Sequence, residues 1–316
     1  PYLYKPGMAG REEVTRSLHE RVLEVKHGQH HAIAIAGESG AGKSRVGAEL
    51  IARARSQGLL AMTSQSQLLD AGVDEDLVGD PLHAFTPMLR HVADACLQEG
   101  AEWTARLFGA RARLLFPYAP FLAHLPNVDL SPTPPARDPE RARARLFYAL
   151  AKTLQAASMG QPALFLFDDL HYADELSLSA IAYMLDFAES ENLPWLIAIM
   201  YRSEELPERL DPLLSDARWE TITLERLGKE ALGELTAQML GLGETPAALL
   251  DLVTQRTGGN PFFVAEYLRL ALEEGLLQQD GQGAWQLVAD KNTSGAIAHL
   301  PVPASIQELI RGRLTR

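Results

Sequence analysis

Apolar residues follow two kinds of pattern along this chain. Five short apolar runs, at 31–36, 59–63, 163–167, 195–201 and 220–224, are each bounded by turn or capping residues. Runs of that length separated by helical patterns predict buried parallel strands. Between them, residues 44–56 and 141–157 carry apolar side chains at spacings of three and four, which predicts amphipathic helices. Strand alternating with helix predicts an α/β sheet covered on both faces. From Gly228 onward such runs stop, and Leu232, Leu235, Met239 and Leu240, then Leu249, Leu250 and Val253, predict a small helical domain. The expected division is residues 1–227 as the α/β domain, 228–274 as the helical domain, and 275–316 as a hairpin around Gly281 and Gly283 leading into the first helix of a further module at 303–316. Prolines at 126–137 break the helical pattern and predict a loop inside the first domain.

Composition narrows the classes. With 316 residues, 47% hydrophobic and 22% charged, the chain has enough apolar material for one large domain or two smaller ones. Its 41 acidic against 29 basic residues give a net charge of -12, and no dense Lys/Arg block stands ready to track a phosphate backbone, which argues against direct nucleic-acid binding. Arg141, Arg143 and Arg145 sit beside Asp138 and Glu140 and read as a solvated helix face. One cysteine, Cys96, excludes an internal disulfide and suits a reducing, cytoplasmic setting. The first thirty residues hold no continuous apolar segment and nothing later approaches a membrane span, so no membrane partner is expected. Because the chain begins at Pro1 and stops at Arg316 inside a helical pattern, a piece of a longer protein is expected.

The sharpest chemical signal is Gly37-Glu38-Ser39-Gly40-Ala41-Gly42-Lys43-Ser44. A triphosphate carries several charges on closely spaced oxygens. A loop that turns its N–H groups inward at a helix N-terminus answers them without bulky side chains. Glycines at 37, 40 and 42 permit the turn, Lys43 would reach the β- and γ-phosphates, and the Ser44 hydroxyl would ligate Mg²⁺. The expected nucleotide contacts comprise Glu38, Ser39, Gly40, Ala41, Gly42, Lys43, Ser44 and Arg45. A P-loop site also needs an acid at the end of a neighbouring strand. Leu164-Phe165-Leu166-Phe167-Asp168-Asp169 supplies an apolar run followed by two carboxylates, Asp168 on the metal side and Asp169 to orient or activate water. Two acids after a strand can equally serve as a helix N-cap.

Asp168-Asp169-Leu170-His171-Tyr172-Ala173-Asp174, the P-loop, and the later Gly259-Asn260-Pro261-Phe262-Phe263 together resemble the STAND branch of AAA+-like ATPases. The likeness is to the ATPase module of large LuxR-type transcriptional regulators and of related bacterial cyclase and kinase fusions, and it runs from about Gly10 to the end. It implies that Gly10 and Arg11 lie near the adenine, that Arg202 senses the γ-phosphate, and that Pro261 belongs to a lid motif packing on the base. Tyr172 stands where the family usually has tryptophan, and the trans-acting arginine of ring-forming motors has no convincing counterpart here.

The resulting expectation is a P-loop NTPase with a five-stranded parallel sheet core followed by a helical lid domain, with ATP/ADP and Mg²⁺ as cofactors. Lys43, Asp168, Asp169 and Arg202 form its catalytic set, and Ser44 and Asp168 its metal side. Function would be slow hydrolysis in a signalling switch, with a fused or partner effector domain and ATP-dependent self-assembly. A ring-forming motor or loader ATPase is the alternative. A P-loop kinase for a small molecule is a third reading, for which the helical stretch 80–125 would have to supply a substrate lid.

Overall fold

A computed structural model describes residues 4, 6–65, 81–132, 138–204, 206–275, 277–279 and 285–287. The elements run α1 (Glu12–Lys26), β1 (His31–Gly37), α2 (Lys43–Ser56), β2 (Leu60–Gln65), α3 (Thr86–Glu99), α4 (Ala101–Leu107), α5 (Ala112–Leu115), α6 (Pro139–Ser158), β3 (Ala163–Asp168), α7 (Glu175–Ser190), β4 (Trp195–Arg202), α8 (Asp211–Leu214), β5 (Trp219–Leu224), α9 (Lys229–Leu240), α10 (Ala247–Thr257), α11 (Pro261–Glu273), β6 (Leu277–Gln279) and β7 (Trp285–Leu287). They fall into two compact units. One comprises Ser17–Ala36 and Gly47–Thr223, and the other gathers the described residues of Pro1–Arg16, Gly37–Val46 and Leu224–Arg316.

The first unit holds a five-stranded parallel sheet in the order β2-β3-β4-β1-β5. Leu60 to Gln65 pair with Ala163 to Asp168, and Ala163 to Phe167 pair with Trp195 to Ile199. All five apolar runs are strands, within one or two residues of their expected bounds. Their order corrects one expectation: β3, which ends at Asp168 with Asp169 just beyond it, is separated from β1 by β4. Hydrophobic runs identify strands but not the path of the crossovers between them, and seven buried residues from Trp195 to Tyr201 suit β4 to the centre. At β5 the burial alternates instead of being continuous, because an edge strand is covered less completely.

Core packing joins sheet to helices. Phe165 and Trp195 meet edge to face at 4.8 Å, and Phe85 meets Phe167 at 5.1 Å. Leu150 and Leu154 of α6 and Ile181 and Met184 of α7 are fully buried with them. The polar face of α6 lies outward, with Arg141, Arg143 and Arg145 exposed. Asp138 caps this helix, accepting from Glu140 N at 3.1 Å. The proline-rich loop has no regular structure at 126–132, and its continuation at 133–137 lies outside the described residues. The stretch expected to be helical through 80–125 is broken into α3, α4, α5 and three 3-10 turns.

The second unit packs α9, α10 and α11 around Leu232, Leu235, Leu249, Val253, Val264 and Leu268. Gly37–Val46, the loop with the first turn of α2, belongs to this unit. β6 and β7 pair antiparallel, with Leu277 opposite Leu287 and Gln279 opposite Trp285. The expected helix at 303–316 lies outside the described residues.

Asp174 caps α7 and is 4% exposed. Its carboxylate accepts from Leu82 N at 3.2 Å and Ser177 N at 2.9 Å, also accepts from the Ser177 hydroxyl, and lies 3.0 Å from His83 Nδ1. Burial alone would raise its pKa, but the His83, Ser177 and Leu82 hydrogen bonds outweigh it and hold the group at about 2, against an ordinary 3.8. A depressed carboxylate stabilises the fold above its unfolded pKa, and that contribution is lost as pH falls through the folded value. Asp174→Asn is therefore expected to lower stability by roughly 2 kcal/mol at pH 7 in urea denaturation. The gap to wild type should narrow as pH falls from about 4 to about 2, and a gap constant over that window would contradict the assignment.

Candidate nucleotide site

Gly37 ends β1 and Lys43 opens α2, so residues 38–42 lead from the carboxyl end of a strand into a helix N-terminus. The first N–H groups of such a helix lack intrahelical partners and carry the positive end of its dipole. Gly40 and Gly42 take φ of +82° and +98°, a region that L side chains rarely adopt. Nothing lies within 4 Å of the place a Cβ would occupy at Gly42, so the loop is open there. At Gly40 a Cβ would sit 2.6 Å from Asn260 Oδ1 and 2.8 Å from Phe262 Cβ. Lys43 is buried and its Nζ donates to Gly37 O at 2.8 Å and Glu38 O at 2.9 Å, which folds the ammonium over the loop. Ser44 and Arg45 are exposed in the first turn of α2, with the Arg45 guanidinium donating to Pro6 O.

The same unit supplies the loop's supports. Asn260 is 1% exposed, and its Nδ2 donates to Ser39 O at 2.9 Å and Glu38 Oε1 at 3.1 Å. Its Oδ1 caps α11, accepting from Phe262 N at 3.0 Å and Phe263 N at 3.4 Å, with Pro261 as the first helical residue. Phe262 N also donates to Gly40 O at 3.3 Å. Arg226 forks onto Glu38, Nε to Oε1 and Nη2 to Oε2, each at 2.9 Å, and the Glu38 carboxylate raises the pKa of that guanidinium. Arg11 reaches Ala41 O at 3.5 Å and also donates to Glu225 O. Burial lowers the Arg11 pKa, with Glu225 opposing. Gly10 lies against Ala231 of α9. Gly10, Arg11, the loop and Pro261 thus occupy one unit. Sequence reasoning missed Arg226, whose partner is 188 residues away, and read Asn260 only as part of a lid motif.

In the sheet unit, Asp168 and Arg202 end the paired strands β3 and β4 at their carboxyl edge. Asp169 is left-handed, with φ 52° and ψ 40°, and its N–H donates to Asp168 Oδ1 at 2.8 Å. Asp169 precedes a 3-10 turn without capping it by its side chain, so the capping alternative for the acid pair falls to Asp174 instead. Buried His171 places Nε2 3.9 Å from Asp169 Oδ1. The Arg202 guanidinium lies 5.6 Å from the centre of the Tyr172 ring, so tyrosine at this position still seats a cation.

The loop suits a phosphate chain: it offers helix N-terminal N–H groups, an ammonium, a hydroxyl and open space at Gly42. Among the described residues no group of three His, Cys, Asp or Glu could hold a metal ion. No helix among the described residues is long and apolar enough to cross a membrane.

The AAA ATPase domain family matches residues 8–197, more than half of the chain. The chain belongs to the AAA ATPase domain family. A family described as a domain of unknown function matches residues 228–281, the helical region. No curated protein matches the sequence. Among solved structures, a chain of the E. coli MS115-1 HORMA:CdnC:Trip13 complex aligns at 11% identity with a TM-score of 0.52, over 95% of this chain and 91% of that one. Cdc6p from Pyrobaculum aerophilum aligns at 11% identity with a TM-score of 0.50, over 87% of this chain and 65% of that one. At such identity the likeness establishes the fold alone.

The two loop glycines are expected to respond differently to a methyl group. Gly42→Ala meets only backbone strain, roughly 1–2 kcal/mol. Gly40→Ala adds overlap with the N-terminus of α11 and should cost on the order of 3–5 kcal/mol in urea denaturation. Equal costs would contradict the packing described.

Proposed function

We propose that this chain is a slow, STAND-type ATPase switch in which ATP and ADP favour different arrangements of the helical region. The observation that carries the reading is the attachment of the phosphate loop to α11 through Asn260 and Phe262. A ligand that reshapes the loop must also act on that helix, and differential affinity for two states supplies the coupling. In this reading the loop N–H groups and Lys43 bind the phosphates, Gly10, Arg11 and Pro261 lie toward the base, and Arg202 senses the γ-phosphate. Ser44 and Asp168 would hold Mg²⁺, which when bound neutralises phosphate charge. Asp169 would accept a proton from the attacking water at a carboxylate oxygen. A fused or partner effector would read the helical region, in a reducing, cytoplasmic setting, and stimulated self-assembly belongs to the same proposal.

Limited proteolysis near Gly228 should differ between ADP and a non-hydrolysable ATP analogue; identical patterns would remove the switch reading. Asp169→Asn should slow hydrolysis by about 100-fold or more while ADP affinity stays within about twofold of wild type. Turnover by the unaltered protein that is fast and climbs steeply with protein concentration would instead favour a ring-forming motor.

A further inference from the structure

Asn260, buried in the helical unit, joins two segments, the loop between β1 and α2 and the start of α11. Both halves of its amide are used: Oδ1 accepts from the first turn of α11, and Nδ2 donates to the Ser39 carbonyl at 2.9 Å and to Glu38 Oε1 at 3.1 Å. Glu38 is in turn gripped by Arg226 through two bonds of 2.9 Å. A loop with two left-handed glycines has many conformations open to it, and fixing it in one that suits phosphate removes an entropic cost from binding. The Glu38 carboxylate would repel a phosphate chain if it stood alone, and Arg226 and Asn260 offset its charge. We propose that Asn260 is a positioning residue for the phosphate loop: with the Arg226–Glu38 pair it holds residues 38–40 in their binding shape, acting on the phosphates through the loop. The proposal rests on the nucleotide-binding reading above and assigns its affinity to a contact outside the P-loop motif.

Asn260→Asp separates this role from helix capping, because a carboxylate oxygen still accepts from Phe262 N and Phe263 N while both donated bonds are lost. Calorimetric titration with ADP is expected to show affinity about tenfold weaker than wild type. In the nucleotide-free protein, amide hydrogen exchange at 38–44 should accelerate while α11 keeps its protection. Adding Glu38→Gln to Asn260→Asp restores a donor across the same contact and should recover part of the affinity, which a merely structural defect would not allow. Arg226→Met, on an exposed side chain, should weaken ADP binding, with Glu38→Gln again compensating. The proposal is overturned if Asn260→Asp binds ADP within about twofold of wild type and leaves exchange at 38–44 unchanged, or if Glu38→Gln rescues neither variant. A wild type that binds no ADP, together with faster loop exchange in Asn260→Asp, would sink the switch reading and leave the positioning of the loop standing.

Discussion

Turning several backbone N–H groups toward one point is costly for a peptide, since every group so aimed is withdrawn from a partner of its own. A phosphate-binding role would ask that shape of the loop between β1 and α2, which carries two glycines in left-handed conformation. Its own bonds, Ala41 N to Glu38 O and Lys43 Nζ to Gly37 O and Glu38 O, close it internally. The remaining restraint comes from α11 and from Arg226, which is why residues so distant in sequence share a compact unit with the loop. That the helical region and the phosphate loop are one body is the physical basis for treating nucleotide binding and lid arrangement as linked.

The sheet unit meets a different demand. Its strands must bring acids and an arginine to one edge while nearly all of their length stays dry. Five residues of β3 before Asp168 are buried, and seven of β4 before Arg202. Aromatic contacts join β3 to β4 through Phe165 and Trp195, and β3 to the 3-10 turn at 83–85 through Phe167 and Phe85. Asp174 anchors the segment that follows the acid pair to the turn at Leu82 and His83, so the backbone beyond Asp169 is tied down at both ends.

Four of the strands were legible because each is a compact apolar run, β5 had only Ile222 and Leu224 within 220–224 to mark it, and the P-loop was legible because its glycines and lysine are local. Strand order was not: insertion of β4 between β1 and β3 depends on crossover paths that leave no trace in periodicity. Gly259-Asn260-Pro261 could be seen as a turn and matched to a lid motif, but the bond from Asn260 to Ser39 spans 221 residues and has no local signature. Arg226 carries no signal of any kind until its fork onto Glu38 is visible. In the acid-rich segment, capping and catalytic readings of a carboxylate look alike in sequence. Geometry gives Asp174 the cap of α7 and places Asp169 in a left-handed turn with no side-chain cap bond.

In the proposed switch the loop ending in Lys43 and Ser44 holds a nucleotide and the protein releases it slowly. This proposal is tested most directly by denaturing the purified protein and chromatographing what is released, beside Lys43→Ala handled identically. Retained ADP in the wild type and none in the variant is the predicted result. Wild-type protein that emerges empty and yet turns ATP over rapidly would contradict it.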